Sequence, residues 1–321
     1  MDKKQILVTL PVAERHKQML EQALPSGIFQ YNLYPTKPDL KNADIILGNV
    51  PPELLCHAEK LEWFHIGSSG ADQFTKPGVL KPGVLLTNST GIYGVSISEY
   101  LIAATLLLLN RMNQYLVNQL DHRWHNEGNI RSVYGSRVLI LGLGDIGTEY
   151  GTKVKVMGAS VTGIKRHVGE KPDWLDALYT MDALDTELPK ADIVVTSLPN
   201  TPSTRHIFNL DRFRLMKNDA ILLNVGRGSA VVTDDLVMAL NEGLIGGAYL
   251  DVTEPEPLPK EHPLWNAKNI LITPHISGNF NLPETFERAV RLACENLRLY
   301  GAGQPLKNMV DMQSGYRRYE E

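Results

Sequence analysis

Short hydrophobic runs alternate with longer amphipathic or polar segments along most of the chain. Six such runs follow residue 135, and polar or glycine-containing turns separate them. Hydrophobic runs of roughly four to eight residues that alternate with helical segments are typical of βαβ units, in which parallel strands are buried on both faces. The pattern therefore predicts a doubly wound parallel sheet with strands at 138–141, 160–164, 192–197, 220–225, 248–252 and 270–273.

The first hundred residues repeat this rhythm on a smaller scale, with strand-like runs at 5–10, 44–48 and 61–66. A last amphipathic segment, 282–300, predicts a helix that returns the chain to this first domain. We therefore predict an α/β fold of two Rossmann-like, doubly wound parallel-sheet domains with a cleft between them. The predicted domains are a discontinuous substrate domain, 1–97 plus 288–321, and a dinucleotide-binding domain, 98–287.

The segment that joins the two domains predicts one long helix over 98–120. Apolar residues recur at helical spacing from Leu101 to Leu116. Just before them, the sequence 96–99 (Ser-Ile-Ser-Glu) fits a capping box, in which side chains satisfy the free N–H groups of a helix start. We expect the apolar face of this helix to pack in a core or to form a dimer surface.

Composition excludes several classes of protein. The hydrophobic content of 43%, the charged content of 21% and the net charge of -4 are those of a soluble globular protein, with no reason to expect a nucleic-acid partner. The two cysteines have no metal-type spacing, so no metal site is predicted. The longest apolar stretch, 101–109, is too short to cross a bilayer. We expect a cytoplasmic protein without a membrane partner.

A glycine-rich motif follows the strand predicted at 138–141. The sequence 142–147 reads Gly-Leu-Gly-Asp-Ile-Gly and leads into a predicted helix. In this context the first glycine allows a tight turn, the second lets the backbone approach a pyrophosphate, and the third lets the helix pack closely. The predicted dinucleotide contacts in this motif are Gly142, Gly144, Asp145, Ile146 and Gly147.

The end of the next predicted strand bears on which dinucleotide binds. Sites for NAD place an acidic residue there, about twenty residues after the glycines, to bind the ribose 2′-hydroxyl. This chain has Lys165 and Arg166 instead. Two cations stabilise a 2′-phosphate, so we predict NADP, with NAD use possible. The alternative is that these residues form an ordinary solvated basic turn.

Three later strands each lead to a reactive side chain, Arg227, Glu256 or His275. Ligands of open α/β sheets bind beyond the carboxyl ends of the strands. Reduction of a 2-oxo acid by hydride needs a guanidinium to hold the carboxylate, a histidine to supply a proton, and a carboxylate to orient that histidine. Each residue alone has an ordinary structural explanation, but together they predict a catalytic site.

With these residues the chain resembles the D-isomer-specific 2-hydroxyacid dehydrogenase family over nearly its whole length. The motifs that carry the resemblance are 142–147, 224–228, 250–259 and 273–275. In that family the arginine binds substrate, the glutamate before a proline orients the histidine, and the histidine is the acid/base. The catalytic residues implied by the resemblance are therefore Arg227, Glu256 and His275.

The resemblance also implies further contacts. It places Asp251 near the nicotinamide carboxamide, and it assigns backbone N–H groups around Ser68, Ser69 and Gly70 to the substrate carboxylate. Glu256 differs from the glutamine of the formate-oxidising branch. The remaining cofactor contacts implied in this way are Ser197, Leu198, Pro199, Val225 and Gly226.

The most specific prediction is NADPH-dependent reduction of a small 2-oxo acid, such as glyoxylate or hydroxypyruvate, to the D-2-hydroxy acid. Two alternatives stay open: a dehydrogenase of phosphoglycerate or another larger 2-hydroxy acid, and a dinucleotide-sensing, corepressor-like binding protein. The resemblance also implies a homodimer formed through the 98–120 helix and the following arm. In such a dimer Trp124 either reaches the partner's substrate pocket or fills its own core.

Overall fold

The structure, a computed structural model, describes residues 3–167, 169–313 and 315–317. Its strands are β1 (Gln5–Val8), β2 (Ile28–Tyr31), β3 (Ile45–Leu47), β4 (Trp63–His65), β5 (Leu85–Thr87), β6 (Arg137–Leu141), β7 (Ser160–Ile164), β8 (Ala177–Tyr179), β9 (Ile193–Thr196), β10 (Ile221–Asn224), β11 (Gly247–Leu250), β12 (Ile270–Ile272), β13 (Val310–Asp311) and β14 (Tyr316–Arg317). Its α-helices are α1 (Glu14–Ala23), α2 (Lys37–Asn42), α3 (Gly94–Leu109), α4 (Met112–Leu120), α5 (Asp145–Val156), α6 (Leu184–Glu187), α7 (Leu210–Leu215), α8 (Thr233–Glu242) and α9 (Pro283–Gly301).

The described residues divide into two compact units, and the first of these is formed by two separate stretches of the chain. The first unit runs to Ile92 and resumes at Phe280, and the second is Tyr93–Asn279. The crossings thus fall at 92/93 and 279/280, where the sequence placed them at 97/98 and 287/288. The outer ends of the predicted first domain, 1–2 and 318–321, lie outside the described residues.

The first unit is built on a five-stranded parallel sheet of order β2-β1-β3-β4-β5. Successive side chains of a strand point to opposite faces, so each strand serves two cores. Ile6 and Val8 pack in a cluster with residues of α1 and α9. Leu7 packs in a second cluster with Leu40 of α2. The predicted strands β1, β3 and β4 are confirmed, whereas β2 and β5 were not predicted.

The second unit is built on a seven-stranded parallel sheet of order β12-β11-β10-β9-β6-β7-β8. All six predicted strands are present, and β8 is an additional edge strand. One face of this sheet packs Leu139, Val194 and Leu222 against Phe213 of α7 and Leu236 of α8. The strand order reverses between β6 and β9, which is where doubly wound sheets open a crevice at their carboxyl edge.

The predicted single helix over 98–120 is wrong in two respects. The helix starts earlier, at Gly94. The Ser96 hydroxyl donates to the Ser277 carbonyl (2.7 Å) and caps no N–H of the helix start, so the predicted capping box does not form. It also breaks at Arg111, whose φ of 56° cannot continue a right-handed helix. At this break the Arg131 N–H donates to the Leu109 carbonyl (3.0 Å), so a segment that is distant in sequence satisfies one of the last carbonyls of α3.

No single helix among the described residues is both long and apolar enough to span a membrane. The pair α3 and α4 reaches the required length and composition only when counted together, across a bend of 71°.

Candidate active site and dinucleotide loop

The loop after β6 lies at the switch point of the second sheet and carries three glycines. Gly142 has a φ of +95°, a conformation that L side chains rarely adopt. A Cβ on Gly147, in the first turn of α5, would lie 2.0 Å from the Gly142 carbonyl oxygen. The tight turn therefore requires Gly142, and the close approach of α5 requires Gly147.

Gly144 has no such explanation within the chain. Its φ is -87°, and no other part of the described chain has a heavy atom within 4 Å of the place where a Cβ would lie. The open space adjoins the first turn of α5, where backbone N–H groups have no intrahelical partner. A pyrophosphate fills this kind of cradle in dinucleotide-binding sheets. The glycine loop therefore fits a dinucleotide.

The other loops predicted to bind cofactor meet at the same edge of the sheet. The Ser197 hydroxyl donates to the Gly142 carbonyl (2.9 Å), which joins the loops after β9 and β6. A Cβ on Gly226 would lie 2.5 Å from the Leu198 carbonyl oxygen, so the loops after β10 and β9 are in contact. Val225 is buried beside this contact, Ile146 is half-buried, and the Pro199 carbonyl accepts the Thr204 hydroxyl.

The Asp145 carboxylate contacts the start of α3. Its Oδ2 accepts the backbone N–H of Gly94 at 2.6 Å, so a negative charge lies at the start of α3. Such a charge is favourable at a helix N-terminus. Asp145 thus links the dinucleotide loop to the first residues of the second unit.

The basic turn follows β7 directly. β7 ends in register with β6, since Ile164 pairs with Leu141. Lys165 and Arg166 come next and are exposed, and within the described residues neither side chain pairs with a carboxylate. Two uncompensated positive charges therefore follow the strand adjacent to the glycine loop.

The three strands that precede the catalytic candidates end in register. Asn224 of β10 pairs with Leu250 of β11, which pairs with Ile272 of β12. Neighbouring strands lie about 4.8 Å apart, so the segments carrying Arg227, Glu256 and His275 leave from one edge. The topology therefore brings these three segments to the same end of the sheet.

Asn224 and Gly228 shape the turn that presents Arg227. The buried Asn224 amide donates to the Arg227 carbonyl (2.9 Å) and accepts the Gly226 N–H (3.1 Å). A Cβ on Gly228 would lie 2.0 Å from the Thr253 carbonyl oxygen, so this turn rests on the loop that leads to Glu256. The half-buried Arg227 guanidinium donates to the Gly226 carbonyl (2.8 Å).

Glu256 and His275 are in direct contact. His275 Nδ1 lies 2.6 Å from Glu256 Oε1, and the side chains are 47% and 43% exposed. A carboxylate only accepts hydrogen bonds, so Nδ1 carries a proton and Nε2 is the nitrogen available to another molecule. The backbone of His275 has a φ of 52°, an unfavourable conformation of the kind that clusters at functional sites. The arrangement can hold and deliver a proton at Nε2.

The remaining site predictions fall in two places. Asp251 is 2% exposed at the end of β11, and its carboxylate faces the segment 273–277. Ser68, Ser69 and Gly70 lie in the first unit, half-buried, a few residues after β4. There the Ser68 hydroxyl donates to the Gly70 carbonyl (2.9 Å). The roles of these four residues stay predictions.

Sequence reasoning missed one residue that the structure brings out. His65 ends β4, is fully buried, and lies 2.8 Å from the Thr87 hydroxyl through Nδ1. Burial lowers its pKa to about 4. The signal was visible as a histidine inside a strand-like run, but nothing in the run says whether the ring is buried.

Residues 102–277 match the family described as D-isomer specific 2-hydroxyacid dehydrogenase, NAD binding domain, and this match spans more than half of the chain. The chain belongs to that family. It is therefore an NAD(P)-dependent oxidoreductase, a D-2-hydroxyacid dehydrogenase. The matched residues all lie within the second unit.

Other members of the 2-hydroxyacid dehydrogenase family resemble this one along nearly their whole length. A glyoxylate/hydroxypyruvate reductase A of Photorhabdus laumondii is 30% identical, over 93% of this chain and 95% of the relative. A family member of known structure from Aeromonas salmonicida is 32% identical, with a TM-score of 0.86 over 97% and 99% of the two chains. An NADPH-dependent glyoxylate/hydroxypyruvate reductase from Sinorhizobium meliloti, solved with NADP and sulfate, is 26% identical, with a TM-score of 0.83 over 98% and 100%.

Trp124 of this dehydrogenase does not fill the core of its own chain. Its side chain is fully exposed, at 106% of the reference accessibility. The interpretation of Trp124 as an internal core residue is therefore wrong, and the partner-pocket alternative stays open.

Proposed function

We propose that this dehydrogenase reduces a small 2-oxo acid, similar to glyoxylate or hydroxypyruvate, to the D-2-hydroxy acid with NADPH. The observation that carries the proposal is the hydrogen bond of 2.6 Å between Glu256 and His275 at the carboxyl edge of the dinucleotide sheet. Glyoxylate/hydroxypyruvate reductases with similar sequences and folds support the choice of substrate class.

Each catalytic residue has one task in this proposal. The Arg227 guanidinium holds the substrate carboxylate and carbonyl, because its planar donors match that shape. When bound, the reduced nicotinamide supplies the hydride that C2 of the oxo acid receives. His275, protonated on both nitrogens, gives the Nε2 proton to the oxygen that becomes the hydroxyl. Glu256 keeps Nδ1–H in place and stabilises the imidazolium until the proton leaves.

The preference for NADPH is assigned to Lys165 and Arg166. Both side chains are exposed, and no carboxylate of the described residues neutralises them. Charge-assisted hydrogen bonds to a 2′-phosphate are stronger than neutral ones, so these residues favour NADPH over NADH. Replacement of Lys165 by Asp should weaken the binding of NADPH by about tenfold or more, with little effect on the binding of NADH. Lys60→Asp, the same charge change on the first unit, is the matched control, and an unchanged NADPH/NADH ratio in Lys165→Asp rejects this assignment.

The loop of Ser68, Ser69 and Gly70 is proposed separately as a source of N–H groups for the substrate carboxylate. Three of its carbonyl or hydroxyl groups are already engaged within the first unit: Ser69 O by the Asn88 amide (2.7 Å), Ser68 O by the Ser89 N–H (3.0 Å) and the Ser68 hydroxyl by Gly70 O. A Gly70→Pro variant, which removes one N–H, should raise KM for the oxo acid and leave NADPH affinity intact. An unchanged KM would remove the loop from the proposal.

We also propose that the active protein is a homodimer joined through α4 and the following arm. The side chains of Met112, Leu116 and Leu120 are 51%, 54% and 79% exposed in the single chain, and Trp124 follows them. Apolar side chains grouped in this way favour a protein partner. Light scattering should give twice the chain mass of 35.8 kDa, and Leu116→Asp combined with Leu120→Asp should halve it. A monomeric wild type rejects the dimer.

A panel of 2-oxo acids, assayed with NADPH and with NADH by loss of nicotinamide absorbance, tests the function as a whole. Glyoxylate and hydroxypyruvate should give the highest kcat/KM, and 3-phosphohydroxypyruvate and larger oxo acids the lowest. A preference for the phosphorylated or larger acids would move the assignment to those substrates. Tight NADPH binding without turnover of any oxo acid would point to a dinucleotide-sensing protein and reject the reductase.

A further inference from the structure

The loop proposed for the substrate carboxylate turns two successive carbonyls towards the segment that follows β5. Ser68 O accepts the Ser89 N–H (3.0 Å), and Ser69 O accepts the Asn88 side-chain amide (2.7 Å). In a trans peptide the N–H points away from the carbonyl oxygen of the same unit. The N–H groups of Ser69 and Gly70 therefore point away from that segment, and neither has an acceptor among the described residues. Successive N–H groups of this kind form concavities that bind anions.

Asn88 is held in one orientation by its other hydrogen bonds. It is 1% exposed, and its Oδ1 accepts the Thr90 N–H (3.2 Å), so Nδ2 is the group that donates to Ser69 O. The Asn88 backbone N–H donates to the Asn308 carbonyl (3.1 Å), and its carbonyl accepts Asn308 Nδ2 (3.2 Å). A buried network with its groups bonded in this way rigidifies one arrangement. The Asn88 amide cannot turn over without loss of both of its side-chain bonds.

Asn308 brings the C-terminal segment of the chain into this network. It is 8% exposed and has a φ of 56°, a conformation that asparagine adopts more readily than most residues. Its Nδ2 donates to the Thr90 carbonyl (2.7 Å) as well as to that of Asn88. The next residue, Met309, pairs with Thr87 in an antiparallel bridge, so this segment lies beside the end of β5.

Helix α9 holds the C-terminal segment from its other side. Asn296 of α9 is fully buried, and its side chain donates to the Lys307 carbonyl (3.2 Å) and accepts the Lys307 N–H (2.7 Å). An amide that bonds both backbone groups of one residue fixes that residue in place. Three buried asparagines thus connect α9, the C-terminal segment and the loop of Ser69 within the first unit.

From this geometry we propose that Asn88 and Asn308 are positioning residues for the substrate. Asn88 holds the loop so that the N–H groups of Ser69 and Gly70 face the carboxylate of the oxo acid, and Asn308 holds Asn88. In this role both side chains act through the loop backbone. The inference rests on the proposed function of the loop as the carboxylate site. It makes the C-terminal segment part of substrate recognition, although Asn308 is 220 residues away from Asn88 in the sequence.

Two variants remove the network at different points. Asn308→Gly loses the side-chain donor but keeps the backbone shape, because glycine adopts a positive φ freely. Asn88→Ala removes the donor to Ser69 O directly. Asn269→Gly is the matched control, because Asn269 has a φ of 51° and its amide donates to the Gly246 carbonyl in the second unit.

Hydrogen exchange of the free protein measures the network without any reaction. The N–H groups of Asn88, Ser89 and Thr90 all bond within it, so peptides that cover 87–91 should exchange faster in Asn308→Gly and Asn88→Ala. The same peptides should exchange as in wild type in Asn269→Gly. Equal protection in all variants overturns the inference, and if Asn88→Ala does not fold, Asn308→Gly decides the result alone.

Steady-state kinetics with glyoxylate then separate positioning from general stability. Asn308→Gly and Asn88→Ala should each raise KM by about tenfold, the scale of weakened hydrogen bonds to a charged group. Because the carboxylate is held alike in the ground state and the transition state, kcat should stay within about twofold of wild type. The NADPH Kd should be unchanged, and Asn269→Gly should keep the wild-type KM. A normal KM in Asn308→Gly, or an equal rise in Asn269→Gly, overturns the inference.

The Gly70→Pro variant distinguishes failure of this inference from failure of the loop function. If Gly70→Pro leaves KM unchanged, the proposed loop function fails and the inference falls with it. If Gly70→Pro raises KM but Asn308→Gly and Asn88→Ala do not, only the positioning role fails. In a Gly70→Pro background, Asn308→Gly should raise KM by a smaller factor than in wild type, since one of the N–H groups that it positions is gone. A full rise in that background overturns the inference.

Discussion

His65 and His275 both lie at the carboxyl ends of parallel strands, one in each unit, yet their hydrogen bonds suit them to different roles. His65 ends β4, is fully buried, and has hydrogen-bonding groups near both ring nitrogens. His275 follows β12, is nearly half exposed, and has its carboxylate partner on Nδ1. A place at the sheet edge is therefore not enough. The nitrogen that stays available decides the role.

The partners of His65 fix it as a neutral ring. The Trp63 indole donates to the Thr87 hydroxyl (2.9 Å), which leaves the Thr87 proton to bind His65 Nδ1 (2.8 Å). Nε2 then carries the ring proton, directed at the Ser89 oxygen (3.5 Å), and Ser89 donates onward to the Ile66 carbonyl (2.9 Å). The chain of donors ends without a place for a second ring proton, and burial lowers the pKa to about 4.

Replacement of each histidine in turn should give the largest difference in kcat. His275→Ala should lower kcat by about a hundredfold to about ten-thousandfold, the usual contribution of a general acid, with the Kd for NADPH preserved. His65→Gln should change kcat only by a small factor, because that ring has no proton to give at neutral pH. Stopped-flow turnover and fluorescence titration measure both. Near-normal turnover in His275→Ala would reject the contrast outright.

Removal of the carboxylate partner should give the next largest effect. Glu256→Gln keeps an oxygen near Nδ1 but loses the charge, so kcat should fall by about tenfold to a hundredfold. Steady-state turnover at saturating NADPH and oxo acid measures this loss. Glu254→Gln is the matched control, since Glu254 pairs with Arg205 (2.9 Å) and lies 3.6 Å from the His206 ring without contacting His275. Equal kcat values for both variants would contradict the role of Glu256.

The fold could be predicted where hydrophobic periodicity decides it. The central strands of the second sheet, β6, β9, β10 and β11, are almost entirely buried, and continuous apolar runs mark them. Strands β2, β5 and β8 were not predicted, because they are short and partly exposed and their sequences resemble those of loops. The break at Arg111 was not predicted because its contacts are distant in sequence: the Arg111 side chain donates to the Asn129 carbonyl (2.8 Å). Gly151, which would only weaken a lone helix, is explained by Trp174, 2.7 Å from where a Cβ would lie.

The site could be predicted as far as residue type and strand order determine it. Arg227, Glu256 and His275 follow strands that a parallel sheet must end at one edge, and the Glu256–His275 bond agrees with that expectation. The direction of each side chain could not be read from the sequence. Asp251 illustrates this, because its neighbours 273–277 approach it only after β11 and β12 have paired.

The free energy of unfolding, measured as a function of pH, should test the neutral state of His65 directly. Its pKa is about 4 in the folded protein against an ordinary 6.5, so the unfolded chain binds more protons between these values. The stability that depends on a neutral His65 is complete above about pH 6.5 and is lost as the pH falls towards 4. From pH 7 to 4.5, wild type should lose about 2–3 kcal/mol more free energy of unfolding than His65→Gln. Equal losses in urea titrations would show that His65 does not titrate in this way.

A third histidine gives the smallest but most discriminating test, because His16 also pairs with a glutamate. Its Nε2 lies 2.8 Å from Glu287, slightly farther than the 2.6 Å of the His275–Glu256 pair, but Nδ1 accepts the Ala13 N–H (3.1 Å) and the ring is buried at the start of α1. With both nitrogens used and an edge-on contact to Phe286, the ring is a structural link between α1 and α9. His16→Gln should lower the free energy of unfolding by about 1–3 kcal/mol, the cost of an unsatisfied buried group, and leave kcat and the NADPH Kd unchanged. Urea unfolding and turnover of the same sample measure both quantities, and a fall in kcat without a loss of stability would mean that a histidine–glutamate pair acts in catalysis even without a free ring nitrogen.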